Sequence, residues 1–148
     1  MGNVQNLNFD DGLRRFKLNG DDTKVIEFSP ADFGIIERIN DAYHMIDEVS
    51  KQNENIELNP DGSPADDLGK AAGVVKNFRE TINKAINHIF GSDVASVAFG
   101  NQSPLSLVGG IPLYERFLNA VIPVVKKEIE TEMKASQKRI SKYTSQVK

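Results

Sequence analysis

The sequence contains no cysteine among its 148 residues. The chain therefore has no disulfide framework, no thiolate zinc site and no cysteine nucleophile. It also lacks a run of about 18 apolar residues of the kind that spans a bilayer. Its first residues, M-G-N-V-Q-N-L-N-F-D, carry neither the basic nor the apolar part of a signal peptide. We therefore expect a protein that stays in the compartment where it is made and does not enter a membrane.

Motifs that carry catalytic chemistry are also missing. The sequence has no nucleophile elbow, zinc-binding helix, phosphate loop or dinucleotide fingerprint. Gly109-Gly110 has no G-K-[ST] after it, which favours a hinge or close packing over a phosphate cradle. The acids Glu54, Glu57 and Asp61 do not follow the spacing of a calcium loop. We expect no enzyme activity, no cofactor and no metal.

Charge is divided unevenly along the chain, although the net charge is only −3. Residues 1–68 carry 15 acidic and 6 basic side chains, whereas residues 69–148 carry 6 acidic and 12 basic ones. One interpretation is attraction between the two halves within a single fold, and the other is head-to-tail contact between copies in a homo-oligomer. The basic residues are interrupted by glutamates and lack an aromatic platform, which disfavours a nucleic-acid partner.

Apolar spacing predicts an amphipathic helix over 64–90. The spacing alternates between three and four residues and marks one stripe, consisting of Leu68, Ala71, Val75, Phe78, Ile82, Ala85 and Ile89. Ser63 is the predicted N-cap, Pro64 suits the first helical position, and Gly91 suits a left-handed closing turn. A helix with this stripe requires another helix to pack against.

Two further long helices are predicted. The same four letters, S-P-A-D, open a helix over 30–52 with Ser29 as the cap, and its stripe matches that of the 64–90 helix. A helix over 111–140 begins near Pro112, and Pro123 inside it is expected to kink it. A short capped helix closed by Gly100 lies between them.

An N-terminal β-hairpin is predicted from F-K-L-N-G-D-D-T-K-V-I-E-F, because apolar and charged residues alternate around Asn19-Gly20. The five-residue spacer favours a loop looser than a two-residue turn. The fold class that follows is α+β, mainly α, with the hairpin packed on a bundle of three or more helices. We expect a single domain over 1–148, divided into a hairpin (1–28), a helical core (29–129) and a basic helical or frayed tail (130–148).

A set of apolar residues from all three long helices is predicted to be mostly buried. These residues are Ile39, Ile46, Val75, Phe78, Ile82, Ile89, Phe117 and Val121. Beyond Ile129 the apolar residues thin out, too sparse for a core but spaced to lie against another helix. Either this tail packs on its own domain, or it binds a partner, for which the candidate residues are Ile129, Met133, Ile140 and Tyr143.

The order of parts resembles a known group of phage proteins. The hairpin sequence running into S-P-A-D-F-G-I-I-E-R-I-N-D-A, the middle F-G-S-D-V-A-S-V-A-F-G-N, and L-Y-E-R-F-L-N-A-V-I-P-V-V-K-K-E-I before a Lys-rich end carry the resemblance. They are similar to small proteins encoded in the tail-morphogenesis region of siphophages and prophages of Gram-positive bacteria, several of which are regarded as tail assembly chaperones.

The resemblance implies a non-catalytic protein of the host cytoplasm with phage tail proteins as partners. It would bind the tape measure protein and help tail-tube subunits assemble around it. Tape measure proteins are long and prone to coiled coils, so a chaperone for one needs helical faces that shield apolar stripes. Two alternatives remain open: a virion component such as a connector or tube-associated subunit, and a phage-encoded inhibitor of a host defence system.

Overall fold

The computed structural model describes residues 2–52 and 68–147. The fold is α+β and mainly α, with 62% helix and 13% strand, and an N-terminal antiparallel hairpin precedes the helices. This confirms the predicted fold class. The predicted cap at Ser63, Pro64 and the loop acids Glu54, Glu57 and Asp61 lie outside the described residues.

The hairpin consists of β1 (Arg14–Leu18) and β2 (Asp21–Phe28). Asn19 and Gly20 both have positive φ, at 52° and 72°, and form a tight two-residue turn. The predicted looser loop is wrong, because the extra residues are absorbed as a register shift after Lys17. The side chain of Asp21 accepts hydrogen bonds from the amide and the hydroxyl of Thr23 and stabilises this irregularity.

Aromatic contacts attach the hairpin to the helices. Phe16 stacks on Phe28 at a centroid distance of 4.9 Å, and Phe28 meets Phe90 edge-on at 5.0 Å. Phe117 then lies 6.0 Å from Phe90 and 5.8 Å from Phe99. One chain of five rings therefore joins both strands to three helices, and each such pair adds about 0.5–1.5 kcal/mol to the apolar burial.

Helix α1 (Gly34–Gln52) packs on α2 (Leu68–Phe90) in antiparallel fashion. Arg38 near the start of α1 donates from Nε to the carbonyl of Ile89 at the end of α2, at 2.8 Å. His88 also meets Asp41, with Nε2 3.0 Å from Oδ2. The matching stripes predicted for these two helices thus face each other, and polar contacts hold one end.

The start of α1 corrects the predicted cap. The side chain of Asp32, not Ser29, accepts the hydrogen bond from the amide of Gly34 at 2.9 Å. The backbone amide of Asp32 donates instead to the carbonyl of Ser29, so the S-P-A-D segment forms a turn before the helix. An aspartate in this position also carries a negative charge near the positive end of the helix dipole.

Short elements join α2 to the last helix. Gly91 has φ of 69° and closes α2, and α3 (Val94–Phe99) follows with Asp93 as its N-cap and Gly100 as its C-cap. A minute second hairpin, β3 (Leu107–Val108) and β4 (Ile111–Pro112), then turns at Gly109-Gly110. The sequence predicted only a loop here, because two-residue strands are too short to show alternation.

The last helix, α4, runs from Leu113 to Val147 and continues past the predicted end at 140 and through Pro123. Carbonyl groups of the preceding loop satisfy its first amides: Leu113 donates to Ser106, and Tyr114 donates to Pro104. The Arg116 guanidinium donates from Nε and Nη2 to the carbonyl of Val108, at 3.1 and 2.7 Å. The base of α4 is therefore fixed to the second hairpin.

The core lies where the hairpin, α1, the second half of α2, α3 and the first half of α4 meet. Four of the eight predicted core residues are buried, namely Ile46, Ile82, Ile89 and Val121. Ile39, Phe78 and Phe117 are half-buried. Val75 is 49% exposed, so its predicted burial is wrong. The antiparallel packing places Val75 beyond the end of α1 at Gln52, where that neighbour no longer covers the stripe.

Candidate protein-binding face

One apolar stripe runs the length of α4. Its members recur every three or four residues, so they share one side of the helix. They are Leu118, Ile122, Val125, Ile129, Met133, Ile140 and Tyr143, with Ser136 between Met133 and Ile140. The stripe therefore passes from the body of the protein into the tail and is interrupted only at Ser136.

Burial changes sharply along this stripe. Leu118 and Val125 are each 3% exposed and belong to the core, and Ile129 is half-buried. Met133, Ile140 and Tyr143 are 47%, 52% and 68% exposed. Every residue from 130 to 144 is exposed. The structure thus places the predicted site residues on one helix face, with Ile129 at the edge of the body and the other three outside it.

A groove accompanies the stripe where α4 leaves the body. It encloses about 540 Å³ between α4 and the start of α1. Its apolar lining consists of Ile36, Ile39, Ile122, Val125, Ile129 and Met133. Lys126, Glu130, Lys134 and Gln137 form its polar rim on α4. An apolar floor with a polar rim is the usual arrangement of a groove that receives an amphipathic helix.

The α1 wall of this groove was missed at the sequence level. Ile36 is 54% exposed and lines the groove from the α1 side. The sequence does contain a signal for this wall, because the apolar face of α1 is broad. Phe33, Ile36 and Tyr43 widen it beyond what packing on one neighbour requires, and all three are exposed. A face that is too wide for one neighbour indicates a second contact.

Two tyrosines lie together near the base of α4. Burial raises the pKa of Tyr114, and the negative charge of Glu115 raises it further. Burial also raises the pKa of Tyr43 on α1, with a smaller effect of the same carboxylate. Both phenols stay neutral at physiological pH, so they act as amphipathic packing groups between α1 and α4.

The N-terminal arm is a second apolar feature that sequence reasoning missed. The first strand begins at Arg14, and residues 2–11 before it are all exposed. Val4, Leu7 and Phe9 are among the most exposed apolar side chains. Within the described residues, the side-chain hydrogen bonds of the arm stay within residues 6–14.

Polar chemistry elsewhere is sparse. His88 and Asp41 form an exposed pair, and His44 is exposed on α1. Across residues 2–52 and 68–147, no three histidine or acidic side chains lie close enough together to hold a metal ion. In the same part of the chain no helix is both long and apolar enough to cross a membrane. The exposed stripe and its groove are therefore the best-defined candidate site.

Comparison with known proteins identified no relative from which a function for this site could be transferred. No family model matches the chain, and neither the curated proteins nor the solved structures yielded a match. The function proposed below draws on the geometry of α4 and on the resemblance in the order of sequence elements.

Proposed function

We propose that this protein is a non-catalytic phage or prophage protein that acts as a tail assembly chaperone in the host cytoplasm. In this role it binds the tape measure protein and helps tail-tube subunits assemble around it. The observation that carries the proposal is the apolar stripe of α4, which stays exposed from Met133 to Tyr143 beside an open apolar groove.

The physical argument concerns what a helical client needs. A tape measure chain is a long amphipathic helix whose apolar stripe must be covered until the tube closes around it. A preformed helix with a matching stripe covers such a client without ordering a new segment of its own, which lowers the entropic cost of binding. The groove adds α1 side chains as a second wall, so a client helix would contact both α1 and α4.

The first experiment uses the full chain as bait in phage-producing cells. We expect recovery of tape measure or tail-tube protein, whereas purified virions should lack the chain, because a chaperone leaves once assembly is complete. Presence in the virion would select a structural component instead. Recovery of a host defence protein without any tail protein would select an inhibitor.

The second experiment locates the binding face with a matched pair of variants. Ile140→Glu places a charge on the exposed stripe and should abolish capture of the tape measure protein. Val75→Glu also introduces a glutamate at an exposed helical position, since Val75 on α2 is 49% exposed and Ile140 is 52% exposed. Val75 lies outside the α4 stripe. The Val75→Glu variant should leave capture unchanged. Equal loss in both variants would contradict the proposed face.

Deletion of residues 130–148 gives an independent check. We expect it to abolish tape measure binding and to leave the thermal midpoint nearly unchanged, because the side chains of 130–144 are exposed. Loss of folding on deletion would show that the tail belongs to the core and that the binding site lies elsewhere.

The virion-component alternative has one observation in its favour. Within the described residues β1 and β2 pair only with each other, so each strand has an unpaired outer edge. Such edges accept a strand from another molecule, as subunits of a ring would provide. Finding the chain in purified virions would make this edge, and not α4, the first surface to examine.

A further inference from the structure

The charges on the tail of α4 are sorted into two blocks. Glu128, Glu130 and Glu132 form an acidic block with no base among them. Lys134, Lys138, Arg139 and Lys142 then form a basic block with no acid among them. Apart from Glu128, which is half-buried, both blocks lie in the segment from 130 to 144 whose side chains are exposed. A partner for this segment must therefore carry the opposite order of charges.

A second copy of α4, laid antiparallel, has that order. With Ser136 of the two copies facing each other, Ile129 lies opposite Tyr143 of the second copy, and Met133 lies opposite Ile140. The same alignment puts Glu132 of each copy beside Arg139 of the other, on the same flank of the interface, and the two-fold symmetry repeats this pair. A parallel alignment would instead place each acidic block against an acidic block, which is unfavourable.

The groove fits the same alignment. Tyr143 of the second copy, placed over Ile129, falls where α4 and the start of α1 diverge. There Ile36 and Ile39 of α1 provide the second wall of the roughly 540 Å³ groove. The tip of each α4 thus enters the groove of the other copy. A single two-fold arrangement covers the exposed stripe, fills the groove and pairs both charge blocks.

We propose that two copies of this chain associate through antiparallel pairing of their α4 tails, with the tip of each tail seated in the α1–α4 groove of the other. The interface is isologous and closes at a dimer. It differs from a head-to-tail contact between the acidic and basic halves of the chain, which has no reason to stop at two copies. The pairing does not depend on the proposed tail partner, although both use the same stripe.

Charge reversal tests the pairing by sedimentation equilibrium of the full chain. Glu130→Lys with Glu132→Lys should raise the dimer dissociation constant at least about tenfold, or about 1.4 kcal/mol. Arg139→Glu with Lys142→Glu should do the same. An equimolar mixture of the two variants should recover a dimer, because the lysine introduced at position 132 then faces the glutamate introduced at position 139, while Arg139 of the first variant still faces Glu132 of the second. The control, Lys76→Glu with Arg79→Glu on the exposed side of α2, should change nothing.

Cysteine cross-linking tests the direction of pairing, and the absence of native cysteine makes each introduced thiol unique. Ser136→Cys should be linked to itself by a short bis-maleimide. Lys142→Cys alone should not, because the two copies of that position lie about 18 Å apart along the helix axis. A mixture of Glu132→Cys and Arg139→Cys should link as a heterodimer.

Several results would overturn the proposal. A monomer at every protein concentration excludes it, as does a dimer that is insensitive to both charge reversals. Efficient linking of Lys142→Cys to itself would establish a parallel pair instead. Oligomers that keep growing with concentration would favour the head-to-tail contact. None of these experiments includes a tail protein. A negative result would therefore exclude the proposed dimer without testing the proposed function.

Discussion

The two halves of α4 have the same spacing of apolar residues, but these residues are buried in the first half and exposed in the second. In the first half, Leu118 and Val125 are almost fully buried under the hairpin, α1 and α3. In the second half, Ile140 and Tyr143 repeat the spacing and are more than half exposed. A period of 3.6 residues identifies a face of a helix, but only the reach of the neighbouring elements decides whether that face is covered.

The largest predicted effect separates the two halves by truncation. Leu118→Ala should lower the free energy of unfolding by about 2–5 kcal/mol, because it opens a cavity in a packed core. Ile140→Ala should lower it by less than about 0.5 kcal/mol. Denaturant unfolding measures both, at concentrations where light scattering shows a monomer. A cost above about 1 kcal/mol for Ile140→Ala would place the tail in the body's core.

A smaller effect is expected at a polar contact of the body. The Asn87 side chain accepts a hydrogen bond from the amide of Ala95 at 2.8 Å and donates one to Asp93. Asn87→Ala leaves the part-buried amide without this partner and should cost about 1–3 kcal/mol. Asn119→Ala on the exposed side of α4 is the control, and it should unfold like the parent. Equal stability of the two variants would show that water replaces the Asn87 contact.

Acid should weaken the body through two capping carboxylates. The amide of Gly34, and then the Arg38 side chain, hold the pKa of Asp32 below its ordinary value of 3.8. The hydroxyl and amide of Ser96, and then Asn87, lower the pKa of Asp93 in the same way. In the unfolded chain these groups take up protons at a higher pH than in the folded one.

Stability from these two carboxylates is therefore complete above pH 3.8 and is lost as the pH falls through the lower folded values. We expect the thermal midpoint to decline from about pH 4 downwards. The decline should be shallower in the double variant Asp32→Asn, Asp93→Asn. An identical decline in parent and variant would assign acid sensitivity to other carboxylates.

The smallest effect concerns an ion pair on the tail. Lys134 Nζ lies 3.0 Å from Glu130 Oε1, one helical turn apart, with both side chains more than 60% exposed. Glu130→Gln should lower the free energy that favours the tail helix by at most about 0.5 kcal/mol, so the helix content of the monomer should fall only slightly. Circular dichroism at low and high salt measures this.

Turns and helix ends were predicted correctly from the sequence where they depend on a few neighbouring residues. Asn19-Gly20, Gly91 and Gly100 all have the positive φ that their turns require. The prediction was wrong at the start of α1, where two residues compete to cap the helix. Ser29 and Asp32 both precede α1, and the cap went to Asp32 because Arg38 also binds that carboxylate, six residues along the chain.

The candidate site was predictable only in part, for a related reason. Ile129, Met133, Ile140 and Tyr143 follow from spacing on α4, since their sparseness beyond Ile129 separates them from a core. The α1 wall depends on the angle at which two helices diverge. The breadth of the α1 apolar face indicates a second contact, but the angle itself is a property of the packed body and does not follow from the spacing of Ile36 and Ile39.

The way Arg116 holds the base of α4 determines where the far end of the helix points. Its guanidinium clamps the carbonyl of Val108, while the carbonyls of Ser106 and Pro104 receive the first amides of the helix. A helix of 35 residues is about 52 Å long, so a tilt of about 10° at the base moves the tip by about 9 Å. The second hairpin and the loop before it therefore set the direction in which the exposed stripe of α4 points.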